Sequence, residues 1–226
     1  LKKTVRWVVG IVLGVYIGTI VLLNIPNIQQ AMSVFVAEEL SEVLNTKVVI
    51  GRINMGLLNR IIIDDVLLDD QSGQEMLKVT RLSAKFDIMP FFKGKISISS
   101  VQLFGFNINL RKETPDSPPN FKFVLDAFAS KDTVKKENSL DLRINSILIR
   151  RGRMSYHVLS EEETPGKFNA KHIQLQNIIA NISLKALSKD SLNLGIKRLS
   201  LDEKASGFSL KKMSLKLVAN NKQTNI

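Results

Sequence analysis

Residues 98–112 read ISSVQLFGFNINLRK, and this stretch shows the pattern that decides the fold. Its second half alternates apolar residues with small or polar ones, the apolar members being Phe104, Phe106, Ile108 and Leu110. A period of two is typical of a β-strand that buries one face, because successive side chains point to opposite faces of a sheet. We therefore predict a strand here, with one apolar and one polar face.

The same alternation recurs along residues 46–226, and turn-forming clusters such as residues 70–73 and 164–166 separate the runs. It predicts a mainly β protein with an elongated antiparallel sheet. The acidic cluster around residues 64–75 lacks the spacing of a calcium loop and is read as a turn. The candidates for one shared apolar face are Leu82, Phe86, Leu103, Phe106, Ile108, Leu110, Ile147, Ile149, Leu175, Leu184, Leu194, Leu215 and Leu217. Periodicity leaves two arrangements open, a closed sandwich and an open groove with an apolar lining.

An apolar segment precedes the sheet: residues 7–25, WVVGIVLGVYIGTIVLLNI, carry no charge. As a helix they would span about 28 Å, close to the ~30 Å hydrocarbon core of a bilayer. A signal peptide has a shorter apolar region, so we predict an uncleaved anchor within residues 1–25. Lys2, Lys3 and Arg6 precede the span, and the next basic residue is Lys47. The positive-inside rule then predicts a cytoplasmic N-terminus, with the remainder in the periplasm of a bacterium.

Gly10, Gly14 and Gly18 recur every four residues and so share one face of this helix. Such a stripe allows another transmembrane helix to approach closely. Glycine is also common in membrane helices in general, so the sequence leaves a helix partner open.

Two amphipathic helices are predicted outside the membrane. The first, residues 26–45, begins at Pro26 and carries acidic residues off its apolar face, which favours packing against protein over lying on a bilayer. The second covers about residues 120–130, with Asn120 as its cap and Phe121, Val124, Leu125 and Phe128 on one face. It would either plug one end of a groove or pack on the sheet.

Composition excludes several classes of function. The 226 residues include 32 Lys+Arg, 21 Asp+Glu and no cysteine, for a net charge of +11. The absence of cysteine excludes a disulfide scaffold and a thiol nucleophile. His157 and His172 are predicted to be lone structural or surface residues, so we expect no metal, no cofactor and no catalytic residue. No nucleic-acid motif accompanies the positive charge.

The order of these segments is similar to that of a known family. NIPNIQQAMSVFVAEELSEVLNTKVVIGRI, IIIDDVLLDDQSGQEMLKVTRLSAKFDI, KISISSVQLFGFNINL, NFKFVLDAFAS, FNAKHIQLQNI and ASGFSLKKMSLKL follow one another along essentially the whole chain. Together they resemble the N-terminal part of the TamB branch, the translocation and assembly module proteins, of the AsmA-like family, in its Bacteroidetes form. The individual motifs are loose. Since Leu1 is not an initiator methionine, we expect the sequence to be part of a longer chain.

The resemblance implies an inner-membrane protein whose periplasmic sheet curls into a taco-like groove. It further implies phospholipid transport between the two bacterial membranes, with no enzymatic step. The alternative is a scaffold for outer-membrane protein assembly that acts with an Omp85-type barrel through a C-terminal part beyond this sequence. Arg150, Arg151 and Arg153 would then bind lipid head groups at the groove edge, or else form a solvated turn.

Overall fold

The computed structural model describes residues 2–56, 59–87, 98–129, 145–187, 191–220 and 224–225. The described residues form three helices, α1 Lys2–Leu23, α2 Pro26–Leu44 and α3 Lys122–Ala129. The strands are β1 Val48–Gly56, β2 Arg60–Asp69, β3 Glu75–Phe86, β4 Ile98–Lys112, β5 Ser146–Val158, β6 His172–Leu187, β7 Ser191–Glu203, β8 Ser209–Asn220 and the two-residue β9 Thr224–Asn225. The same sequence pattern also predicts a turn at Lys93–Gly94 and strand positions at Ile96, Leu142 and Ile144. These residues lie outside the described ones.

The prediction of a mainly β fold with a single open sheet is confirmed. The strands follow one another in chain order from β1 to β9. They pair antiparallel except for β4 and β5, which run parallel. The prediction of a wholly antiparallel sheet is therefore wrong at this pair. Parallel neighbours need a crossover connection, and the described part of the chain between β4 and β5 includes α3.

The N-terminal helices meet the sheet at its first strands. The span Thr4–Leu23 is long and apolar enough to cross a membrane. Pro26 opens α2, and Asn45 ends it in the left-handed conformation at φ 48°, a common helix C-terminus.

Both amphipathic helices pack against the same apolar cluster at the β1–β3 end of the sheet. The cluster is built on Leu44, Val48, Ile50, Ile53, Leu68 and Met76, and Met32, Val36, Ala37, Leu40, Phe121, Phe123, Val124 and Ala127 from the helical segments surround it. Helix α2 thus packs its apolar face on protein, although Phe35 on its other side is 62% exposed. The predicted face of α3 is partly wrong, because Leu125 is 59% exposed. The side chain of Phe128 lies outside the described residues.

A row of left-handed residues crosses the sheet between β2 and β6. Asp65, Gly105, Arg151 and Asn177 have φ values of 56°, 66°, 55° and 54° inside their strands. Thr80 of β3 lies between Asp65 and Gly105. Its two neighbours in β3 pair with Asp64 and Val66 in β2, and with Phe104 and Phe106 in β4. We call the line through Asp65, Gly105, Arg151 and Asn177 the crease.

At the crease the side-chain alternation of each strand reverses. Phe104 and Phe106, two residues apart, would share a face in a regular strand. Instead Phe104 is 37% exposed and Phe106 is 7% exposed, because left-handed Gly105 lies between them. The prediction that these two phenylalanines share the apolar face is therefore wrong.

Irregularities of this kind bend a strand and increase its twist. Strand register shifts at or near the crease continue through β5, β6, β7 and β8. Val79, Phe106 and Ile178 beside the crease are 9% exposed or less and form one cluster, whereas most apolar residues farther along the same strands are half-buried. The crease therefore crosses the face of the sheet on which these most buried apolar residues lie, which we call the inner face.

Asp70 joins the β2–β3 turn to β4 and to the segment before α3. Its carboxylate, 2% exposed, accepts hydrogen bonds from Ser72, Gln74 and Asn120, and it lies 2.6 Å from Nη2 of Arg111. The acidic Asp70 segment is thus a turn, as predicted. Asn120 binds Asp70 and the backbone of Asn109 and Arg111 rather than acting as the predicted helix cap. Burial opposes ionisation of Asp70, but these hydrogen bonds outweigh it and lower the pKa.

We expect Asp70→Ala to lower the free energy of unfolding by about 3 kcal/mol, because it leaves Arg111 and several donors without their acceptor. Asp69→Ala, one residue earlier, is the matched control, with an expected loss below about 1 kcal/mol. Urea unfolding of the full chain in detergent, followed by circular dichroism, measures both. Equal losses in the two variants would contradict this role of Asp70.

Candidate functional site

The strand register aligns apolar side chains in rows that run across the sheet, perpendicular to the strands. Paired residues on neighbouring strands share a face. One row passes through all eight long strands: Ile53, Ile63, Leu82, Leu103, Ile149, Ala180, Leu199 and Met213. The next row does the same: Met55, Ile61, Ala84, Val101, Ile147, Ile182, Ile196 and Leu215. The inner face is thus continuously apolar along the sheet.

Shorter rows extend the inner face on both sides of the crease. Leu184, Leu194 and Leu217 pair beyond the second long row. On the other side of the crease, Leu77, Ile108, Met154 and Leu175 pair, and Leu110 pairs with Tyr156. Eleven of the thirteen lipid-lining candidates lie in these rows. Phe106 lies beside the crease in the cluster with Val79 and Ile178, and Phe86 lines the cavity described below. Contact of these residues with lipid stays a prediction.

Beyond β3 the inner face has no covering layer in the described parts of the chain. In the backbone packing of the described residues, each strand lies beside only its neighbours in the sheet, α1 and α2 lie beside β1, and α3 lies beside α2. The described residues therefore do not form a closed sandwich, which was the first alternative. A contiguous apolar surface of this extent is typical of a ligand or partner site.

A cavity of about 480 Å³ lies between helix α1 and the inner face. Helix α1 contributes Tyr16, Thr19, Ile20 and Leu23, and the strand ends contribute Met55, Gly56, Asn59, Ile61, Ala84, Phe86 and Ile98. Its volume is within the ~300–1,000 Å³ that is usual for small-ligand sites. Because Met55, Ile61 and Ala84 belong to the second long row, the cavity is continuous with the inner face.

Asn24 holds the membrane helix to the sheet at this cavity. Its Nδ2 donates hydrogen bonds to the carbonyl of Ile20 at 2.7 Å and to that of Met55 at 3.0 Å. Its Oδ1 accepts a hydrogen bond from Nε2 of the buried Gln29 at 3.2 Å. One side chain therefore connects α1, α2 and β1.

The three predicted head-group arginines lie on the outer face. Arg150, Arg151 and Arg153 are exposed residues in the middle of β5, so the alternative reading of a turn is wrong. The guanidinium of Arg151 stacks on the ring of Phe104, 5.1 Å from its centroid. These positions, near the crease on the outer face, do not fit a role at the groove edge.

The glycine stripe of α1 is open. An added Cβ at Gly10, Gly14 or Gly18 would meet no described atom within 4 Å. A transmembrane helix partner at this stripe stays a prediction.

The two histidines, predicted to be lone residues, lie side by side. His157 pairs with His172 across β5 and β6, and their Nδ1 atoms are 3.0 Å apart. An Oε1 atom of Glu163 lies 3.7 Å from the first Nδ1 and 4.0 Å from the second. The prediction of lone histidines is therefore wrong. The signal in the sequence was a histidine on each side of an acidic hairpin loop, HVLSEEETPGKFNAKH.

The β7–β8 turn is held by two carboxylates with shifted pKa values. Burial opposes ionisation of Glu203, but hydrogen bonds from Ser206, Gln174 and Ala205 outweigh it and lower the pKa to about 2. Hydrogen bonds from Ser209 and Asn177 lower the pKa of Asp202. Both carboxylates therefore stay ionised in the neutral range and fix the turn.

The sequence matches no protein-family model, and no curated protein matches it. The interpretation of the groove therefore depends on its own geometry.

The crease gives a direct test of the inner-face packing. Gly152 accommodates the ring of Phe106, since an added Cβ would overlap that ring and lie 3.0 Å from Cβ of Ile178. We expect Gly152→Ala to lower the free energy of unfolding by about 1–3 kcal/mol through overpacking.

Phe106→Leu removes the ring that the added methyl group would strike. We therefore expect the double variant Phe106→Leu with Gly152→Ala to be more stable than the sum of the single changes predicts. Urea unfolding of the four proteins measures the coupling. Strict additivity would show that Phe106 does not lie over Gly152.

Proposed function

We propose that this chain is the membrane-anchored start of a lipid conduit in the bacterial periplasm. In this proposal α1 anchors the protein in the inner membrane with a cytoplasmic N-terminus, and the curled sheet guides phospholipid acyl chains toward the outer membrane. The observation that carries the proposal is the pair of apolar rows through eight strands, continuous with a cavity against the membrane helix. The resemblance to the TamB branch of the AsmA-like family agrees with it.

An acyl chain that leaves the bilayer meets a large free-energy barrier in water. Carrying a 14-carbon chain through water exposes methylene groups at about 0.8 kcal/mol each, or about 11 kcal/mol in all. A continuous apolar lining removes most of this barrier. Because bilayer and groove are both apolar, transfer between them is nearly neutral in free energy. Such a surface suits a conduit better than a tight-binding carrier, and the charged head group can remain in solvent at the open side.

The cavity at α1 is the proposed entrance. Tyr16, Thr19, Ile20 and Leu23 belong to the last two turns of a helix long enough to span the bilayer. A cavity at their level would open toward the outer leaflet of the inner membrane. An acyl chain could then pass from the bilayer to Phe86 and Ala84 without crossing water.

A second candidate function is a scaffold for outer-membrane protein assembly with an Omp85-type barrel. The observation that favours it is the edge of β8, where β9 pairs only with Val218 and Ala219 in the described part of the chain. An unpaired edge strand can accept a strand from a client or from a later part of the same chain.

Site-specific photo-crosslinking in cells separates the two functions. A photoreactive residue is placed singly at Leu103, Ile108, Ile149, Leu175 and Leu215 on the inner face. Asn109 beside Ile108 and Gln174 beside Leu175 are matched outer-face controls on the same strands, with Asn107 as a third. We expect labelled phospholipid at the inner positions and none at the controls.

Two results would overturn the conduit. Crosslinks from the inner positions only to the chain itself would show a closed interior. Crosslinks from these positions to outer-membrane protein clients, without lipid, would support the scaffold instead.

A further inference from the structure

A cluster of potential metal ligands lies at the end of the β5–β6 hairpin, outside the groove. Nδ1 of His157, Nδ1 of His172 and Oε1 of Glu163 lie 3.0, 3.7 and 4.0 Å apart. In a tetrahedral zinc site, with Zn–N and Zn–O distances of about 2.1 Å, two ligand atoms are about 3.4 Å apart. The observed separations lie on either side of this value, so one ion fits between the three atoms with small side-chain movements.

The hydrogen bonding of His172 prepares it to bind a metal. Its Nε2 lies 2.9 Å from the carbonyl oxygen of Glu161, which can only accept a hydrogen bond. Nε2 therefore carries the proton, and Nδ1 of the neutral ring presents its lone pair to the cluster. A backbone carbonyl on the second nitrogen is the usual outer-shell partner of a zinc-binding histidine. His172 is 7% exposed, so packing also fixes the orientation of its ring.

The other members of the cluster are free to adjust. Nδ1 of His157 lies opposite the lone pair of His172 and donates a hydrogen bond to it when no metal is bound. A shift of the His157 proton to Nε2 gives a second nitrogen ligand. Glu163 has a side chain that is 62% exposed and can move toward the ion.

Two lysines lie beside the cluster, and one of them is neutralised by an ion pair. Lys171 is paired with Glu161 at 2.7 Å, and Lys204 lines the same cleft together with Glu163 and His172. Three protein ligands leave the fourth position of a tetrahedral ion for water.

We propose that His157, His172 and Glu163 form a binding site for a divalent transition metal, with Zn²⁺ as the fitting ion. Two imidazoles and one carboxylate suit zinc better than the oxygen-preferring Ca²⁺ or Mg²⁺. The bound ion would fasten the acidic loop to β5 and β6. This proposal is independent of the lipid conduit, since none of these residues belongs to the apolar rows.

The test uses the full chain in detergent, purified with a tag that contains no histidine and stripped of metal with a chelator. Isothermal titration with Zn²⁺ is expected to give one ion per chain. Glu163→Gln is expected to weaken Zn²⁺ binding by more than about 10-fold, and His157→Gln at least as much. Glu162→Gln, the neighbouring exposed acid outside the cluster, is the matched control and is expected to bind as the parent does.

The visible spectrum of bound Co²⁺ gives a second measurement that does not depend on folding stability. Intense four-coordinate bands are expected for the parent chain and for Glu162→Gln, and weaker bands for Glu163→Gln. The proposal is overturned if the parent chain binds no Zn²⁺ at one equivalent. It is equally overturned if Glu163→Gln and His157→Gln bind Zn²⁺ as tightly as the control.

Discussion

The architecture depends on one geometric constraint: the side-chain alternation has to reverse at the same level in every strand that the crease crosses. If only one strand reversed, its apolar residues beyond that point would turn to the outer face. The left-handed residues at Asp65, Gly105 and Arg151 lie at corresponding positions of their strands, and Asn177 continues the line. Because the reversals coincide, the rows on both sides of the crease stay on one face.

This constraint also explains which features the sequence predicts. Period-two alternation identifies the strands and the inner-face residues within each half-strand, so Leu82, Ile108 and Ile149 are predicted correctly for that face. It fails across the crease, where Phe104 lies on the outer face, because simple alternation does not allow for the left-handed conformation of Gly105. The available signal was the glycine itself, since a glycine inside a strand pattern indicates a bulge. The parallel β4–β5 pair and the His157–His172 contact depend on strand pairing, which local patterns do not determine.

Charged and polar side chains join the helices and turns to the borders of the sheet, and the inner face stays apolar. Asn24 joins the membrane helix to β1, and Asp70 joins the β2–β3 turn to Arg111 and to the crossover segment. The arginines of β5 lie on the outer face, where Arg151 stacks on Phe104. The inner face is therefore lined mainly by aliphatic side chains, and hydrogen bonds and ion pairs join the elements at its borders.

Native mass spectrometry of the full chain, released gently from lipid nanodiscs, tests most directly whether the rows of the inner face hold acyl chains. We expect the parent chain to retain phospholipid. Leu103→Asp, a charge within the first long row, should abolish retention, and the outer-face change Asn107→Asp on the same strand should leave it unchanged. A parent chain without lipid, or equal retention in both variants, would contradict the account.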